Sequence, residues 1–114
     1  MPLFEVGGRM YQINNKTWNI RLVRSDSPML MRSDGSITVG MCDREAQTIY
    51  ISDALHGRFL RKVLLHEICH SAMFSYGIDM SVDQEELFCD LLSTYGDEII
   101  AITDSVFKAL SEVA

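Results

Sequence analysis

Two histidines separated by a glutamate and two further residues are the part of this chain best suited to chemistry. Residues 66–70 read His-Glu-Ile-Cys-His, and these two histidines are among only three in 114 residues. Positions four apart on a helix lie one above the other, so His66 and His70 can direct two imidazoles at one point. Zinc binds such imidazole nitrogens. Glu67 flanks the same face, where it could take a proton from a water that the metal activates.

A third metal ligand is expected from a later helix. Glu86 follows His70 at a distance of sixteen residues, and Asp90 lies one helical turn beyond Glu86. We predict that Glu86 binds the metal and that Asp90 accepts a hydrogen bond from the free N–H of a ligand histidine. Two histidines, one glutamate and an open water position are typical of catalytic rather than structural zinc.

Glu85 is the alternative third ligand, and the rotation of the helix decides between the two glutamates. The apolar residues Phe88, Leu91 and Leu92 are expected to face the core. Glu86 shares a face with the carboxylate four residues later, whereas the matching neighbour of Glu85 is a cysteine. This phase favours Glu86.

The period of the apolar residues predicts the elements that carry the site. From residue 57 onward the period is helical. We predict a first helix over 58–75 that Gly77 ends, and a second from about Val82 to Tyr95 with Ser81 as its N-cap. Gly96 is expected to end the second helix. A third helix would begin at Asp97 and continue through Val113.

Residues 1–55 alternate between short apolar runs and turn residues, which predicts strands. The predicted strands are 10–13, 17–23, 37–41 and 48–52, with Asn14-Asn15-Lys16 as a hairpin turn. The fold expected is α+β: a small antiparallel sheet of three or four strands followed by three helices, in a single domain over 1–114.

Composition narrows the class of protein. A net charge of −6 and a pI near 4.9 argue against a nucleic-acid partner. No apolar run approaches the ~20 residues of a membrane span, which predicts no membrane partner. The N-terminus lacks the features of a secretory signal, and three cysteines are an odd number without disulfide spacing. These observations favour a cytoplasmic location.

The site resembles that of a known enzyme family. The motif at 66–70, followed by Glu86 and Asp90, resembles the gluzincin pattern, and residues 36–95 are similar to the small ImmA/IrrE-like zincin metallopeptidases of phages and prophages. The resemblance implies that His66, His70 and Glu86 bind Zn²⁺ and that Glu67 is the general base. It also implies that Asp90 does not bind the metal but accepts a hydrogen bond from a ligand histidine. Two departures stand out: Cys89-Asp90 replaces the small residue and Asn that are frequent in the family, and no further domain follows.

Several residues have a second interpretation. Cys69 and Cys89 could be thiolate ligands, although free buried cysteines mostly behave as small hydrophobic residues. His56 could contact substrate, but its position also fits a solvated loop or helix cap. Tyr76 and Tyr95 could donate to a tetrahedral intermediate, although packing roles are commoner.

The function expected from these residues is zinc-dependent hydrolysis of a peptide bond in a peptide or protein substrate. An extended substrate could pair with an edge strand, for which 48–52 is the candidate. The alternative is a catalytically silent zinc-binding interaction module of phage origin. A metal-free helical interaction module is the third hypothesis.

Overall fold

A four-stranded sheet precedes two helices, which confirms the α+β class. The computed structural model describes residues 9–113. A single 3₁₀ turn, Pro28–Leu30, lies in the loop between the second and third strands. The elements are β1 (Met10–Ile13), β2 (Lys16–Val23), β3 (Gly40–Asp43), β4 (Thr48–Ser52), α1 (Gly57–Ser75) and α2 (Val82–Val113).

The sheet is mixed, so the prediction of a purely antiparallel sheet was wrong. Its strand order is β1-β2-β4-β3, and β2 pairs with β4 in parallel, with Ile20 opposite Ile49. Residues 24–39 form a connection long enough to carry the chain across the sheet before β3 begins. The chain returns from β3 through a hairpin into β4, so residues 24–47 together connect the parallel strands β2 and β4, which a short hairpin could not join.

Both hairpins of the sheet are antiparallel. The first hairpin, between β1 and β2, has its turn where the sequence predicts it. Asn14 and Asn15 have φ values of 48° and 63°, the left-handed conformation that a two-residue hairpin turn needs and that asparagine tolerates. Ile13 pairs with Lys16, so β2 begins one residue before its predicted start. In the second hairpin the strand predicted at 37–41 begins only at Gly40, and Ile37 makes an isolated bridge.

The main core lies between the sheet and α1. Trp18, Ile49, Ile51 and Val63 are buried together there. The indole N–H of Trp18 donates to the hydroxyl of Ser75 at 2.8 Å, which ties the last turn of α1 to β2. This contact satisfies a polar group that would otherwise be buried without a partner.

Gly77 ends α1 as predicted. Its φ of 64° is the left-handed conformation of a helix C-terminus. The amide of Ile78 donates to the carbonyl of Met73 at 2.9 Å, and the Gly77 amide donates to Phe74. Ser81 then caps α2: its hydroxyl accepts from the Gln84 amide, and the Gln84 side chain accepts from the Ser81 amide.

One continuous helix of 32 residues replaces the predicted second and third helices. Gly96 is buried inside α2 and does not interrupt it, so its predicted role as a helix stop was wrong. A glycine permits the left-handed conformation without requiring it. The ion pair between Arg61 of α1 and Asp97 continues the contact of the two helices past this glycine.

The predicted rotation of α2 was also wrong in part. Phe88 and Leu91 are 44% and 50% exposed, whereas Cys89 is fully buried and Leu92 is half-buried. The helix therefore turns its most apolar face away from α1. Among residues 9–113, no helix is long and apolar enough to cross a membrane.

The continuity of α2 predicts opposite effects of alanine at two glycines. Gly96→Ala should raise the free energy of unfolding by up to ~1 kcal/mol, because alanine is the better helix former and the only close atom is the flexible end of Leu92. Gly77→Ala should lower it by about 1 kcal/mol, because its φ is positive. Urea denaturation measures both. Equal destabilisation by the two variants would contradict a continuous helix.

Candidate metal centre

A cavity of about 500 Å³ lies between β3, α1 and α2. One face of α1 forms its floor, because residues three, four and seven apart on a helix point to the same side. The edge strand β3 forms one wall and the first turns of α2 form another. The ionisable groups that line it include His66, Glu67, His70, Glu85, Glu86 and Asp90.

Two imidazole nitrogens and a carboxylate converge in this cavity. The Nε2 atoms of His66 and His70 lie 3.2 Å apart. The carboxylate of Glu86 faces both, with Oε2 3.2 Å from Nε2 of His66 and Oε1 3.0 Å from Nε2 of His70. These three residues offer ligand atoms within 4.8 Å of one another, so they could hold a metal ion.

The other ring nitrogen of each histidine meets its own carboxylate. Nδ1 of His66 lies 3.1 Å from Oδ1 of Asp90, and Nδ1 of His70 lies 2.6 Å from Oε2 of Glu85. A carboxylate at Nδ1 places the proton there and leaves Nε2 with a free lone pair. In this tautomer, the Nε2 lone pairs of His66 and His70 both point toward the carboxylate of Glu86.

This arrangement concentrates hydrogen-bond acceptors without a donor between them. In neutral imidazoles that carry their proton on Nδ1, the Nε2 atoms of His66 and His70 accept and do not donate, and the carboxylate of Glu86 also only accepts. Acceptors about 3 Å apart are stable only when a proton or a cation lies between them. The donor set, two imidazoles and one carboxylate, is one that transition-metal cations such as Zn²⁺ take.

The role of Glu85 was missed by the sequence analysis. The sequence offers Glu85 only as the alternative to Glu86, but in the structure the side chain of Glu85 pairs with Nδ1 of His70, and Glu86 faces Nε2 of the same ring. Helix geometry could have indicated this. Since α1 and α2 run antiparallel, the partner of His70 must lie before Asp90, the partner of His66, and Glu85 is one of the two carboxylates within one and a half turns there.

Glu67 lies at the back of the cavity, where α1 approaches the edge strand. It is 9% exposed. Burial raises the pKa of its carboxyl group above the usual range, the two histidines oppose the shift, and the Glu86 carboxylate adds to it. A raised pKa brings a carboxylate closer to the range useful for a general base.

The close approach of strand and helix requires a glycine at position 40. A Cβ there would lie 2.7 Å from Cγ1 of Val63, 3.1 Å from Cγ of Glu67 and 3.2 Å from its Oε2. Since real Cβ contacts are essentially never under 3.0 Å, Gly40 allows β3 to lie directly against the part of α1 that carries Glu67.

The cysteines have no place in the ligand group. Cys69 and Cys89 contact each other between the helices, beside Met73 and outside the cavity lining described for residues 9–113. The thiol of Cys89 donates a hydrogen bond to the sulfur of Cys69, and this bond, together with burial, raises the pKa of Cys89. Cys42 does line the cavity, but burial and then the carboxylates of Glu67 and Glu85 raise its pKa, which keeps it a protonated thiol.

The remaining substrate-contact candidates lie elsewhere. His56 is the residue before α1, and its side chain makes no capping hydrogen bond. Tyr76 and Tyr95 are more than half exposed, and neither belongs to the cavity lining in the described part of the chain. Two cations that the sequence analysis did not single out, Arg32 and Lys62, do line it.

Comparisons with protein-family models, with curated proteins and with solved structures gave no match. The resemblance to zincin metallopeptidases therefore rests on the motif residues themselves, and function has to be argued from the site.

The contact at Gly40 predicts a coupled effect of two substitutions. Gly40→Ala should lower the free energy of unfolding by about 1–3 kcal/mol, because the added methyl group meets the stiff side chain of Val63. Val63→Ala removes that obstacle, so the double variant should be more stable than the sum of the single effects predicts. A double-mutant cycle by denaturation measures this coupling. Strict additivity would contradict the contact.

Proposed function

We propose that this protein is a metal-dependent hydrolase, with Zn²⁺ as the cofactor and a peptide or protein as the substrate. The observation that carries the proposal is the convergence of Nε2 of His66, Nε2 of His70 and the Glu86 carboxylate within 4.8 Å. The buried Glu67 beside this group adds a base. Together they correspond to two histidine ligands, one glutamate ligand and a proton acceptor.

The residues present suit zinc in three respects. The donor set supplies nitrogen and oxygen ligands in the number that catalytic zinc takes. Asp90 and Glu85 hold both imidazoles in the tautomer whose Nε2 can bind a metal. The cavity has a volume of about 500 Å³, which leaves room for water and substrate beside these residues.

In peptide hydrolysis the metal and the protein side chains would have different roles. A bound zinc ion would polarise the scissile carbonyl and acidify a water molecule. Glu67 takes the proton of the attacking water and passes it to the leaving amine, as a general base that becomes a general acid. Its burial and raised pKa suit both steps, since a carboxyl group with a raised pKa accepts a proton more readily than an ordinary glutamate does.

The substrate strand must pair elsewhere than predicted. Residues 48–52 form β4, which lies between β2 and β3 and has no free edge, so its predicted role as the edge strand was wrong. The described sheet has β1 and β3 as its edge strands, and β3 is the one beside the cavity, which Gly40, Met41 and Cys42 line. An extended peptide that adds to the free edge of β3 would pass in front of Glu67.

Removal of a ligand should abolish tight metal binding. His66→Ala, His70→Ala and Glu86→Ala should each weaken zinc binding by more than ~100-fold, because each removes one of three donors. Glu85→Gln and Asp90→Asn should weaken it by about 10–100-fold, as expected for residues that orient ligands. Isothermal titration with Zn²⁺ measures these affinities, and elemental analysis gives the stoichiometry.

His56→Ala is the matched control, since it removes the third histidine of the chain, which the structure places before α1. Its zinc affinity should equal that of the wild type. A wild-type protein that takes up no zinc after reconstitution would contradict the metal site, and the histidine pair would then be held together by protons.

Glu67→Gln separates catalysis from metal binding. The zinc-loaded variant should keep one equivalent of metal and lose activity by about 10²–10⁴-fold, the usual contribution of a general base. Cleavage of casein and of a quenched-fluorescence peptide library measures activity. Glu45→Gln, the same exchange at an exposed turn, should cleave at the wild-type rate. Activity retained by Glu67→Gln would refute the assigned base.

A further inference from the structure

The long helix α2 carries an apolar stripe that the described structure leaves exposed. Its members repeat at an interval of eleven residues: Phe88, Ile99 and Leu110; Leu91, Ile102 and Val113; Tyr95 and Val106. All eight are between 44% and 82% exposed. Eleven residues in three turns is close to the natural period of an α-helix, so the stripe runs nearly straight along the helix.

The outer part of α2 extends beyond the rest of the molecule. The helix of 32 residues is about 48 Å long, whereas α1 of 19 residues is about 28 Å long. Every residue of 97–113 is exposed. Ile100 and Phe107 widen the stripe on one flank, and the other flank carries Glu98 and Glu112.

The size of this surface matches what a dimer buries. The exposed apolar side chains between residues 95 and 113 present on the order of 900 Å² to solvent, against about 800 Å² per partner in a standard interface. Apolar patches on soluble monomers rarely exceed a few hundred Å². The exposed part of α2 therefore has the area of one half of a stable interface.

We propose that a second copy of this chain covers the part of the stripe between residues 95 and 113, with the two α2 helices antiparallel about a two-fold axis near residue 104. In such a pair equivalent flanks meet, so Phe107 lies opposite Ile100 of the second copy and the apolar flank is buried on both sides. A parallel pair would instead place the glutamate flank against the apolar flank. The chemistry of the two flanks thus selects the antiparallel arrangement.

In this antiparallel dimer, apolar side chains of the two α2 helices lie opposite each other in pairs of complementary size. Ile99 lies opposite Leu110 of the second copy, and Ile102 lies opposite Val106. Glu98 and Glu112 of the two copies approach each other only at the solvent-exposed rim. Because each chain also carries a net charge of −6, salt should screen the repulsion and tighten the dimer.

Sedimentation equilibrium of the full chain tests the proposal. The wild type should have twice the monomer mass of 12.9 kDa, with a dissociation constant that falls as salt is raised. Ile102→Glu and Val106→Glu should each be monomeric, because a charge would be buried in the interface. Ala101→Glu, the same charge on the opposite face of the helix, is the matched control and should remain dimeric.

Cysteine cross-linking tests the orientation. Thr103→Cys lies next to the two-fold axis and should link two copies under mild oxidation, whereas Val113→Cys should not, because residue 113 faces Tyr95 of the second copy. Circular dichroism establishes that each variant is folded. A monomeric wild type, or a dimer that survives Ile102→Glu, overturns the proposal. Efficient linkage through Val113→Cys overturns the antiparallel arrangement.

Discussion

The pairing of two imidazoles with three carboxylates across the contact of α1 and α2 is the constraint on which the rest of the structure depends. Buried polar groups are costly without partners, and the imidazoles of His66 and His70 each have a carboxylate of α2 as the partner of Nδ1. To supply the carboxylates, α2 must present its polar side to α1. Its apolar side then faces outward, the reverse of the usual arrangement of an amphipathic helix.

The sheet places the edge strand β3 beside the contact between α1 and α2. Since β4 occupies the interior of the sheet, β3 is left at the edge beside the cavity. Gly40 removes the one side chain that would keep strand and helix apart. The buried carboxyl group of Glu67, the candidate ligands and a free strand edge consequently lie around one cavity. A metal site, a base and a surface for an extended peptide would be adjacent without any further element.

Much of the candidate site could be predicted because it depends on local periodicity. His66 and His70 share a helix face whatever surrounds them, and Ser81 and Gln84 indicate where α2 begins. Glu86 was chosen over Glu85 from a helix phase that placed Phe88 in the core, and that premise was wrong. The choice agrees with the observed geometry because Glu86 and Asp90 share a face in any phase. The outward rotation of α2 could not be predicted, since an apolar face is expected to be buried.

By itself, the sequence determined the α+β class, the Asn14-Asn15 turn, the end of α1 at Gly77 and the spacing of the histidine pair, since each depends on neighbours along the chain. Only the tertiary structure decided that β2 and β4 are parallel, that α2 continues through Gly96, and that Glu85 pairs with His70. These features depend on contacts between residues far apart in sequence. Local propensity permits several outcomes there, and packing selects among them.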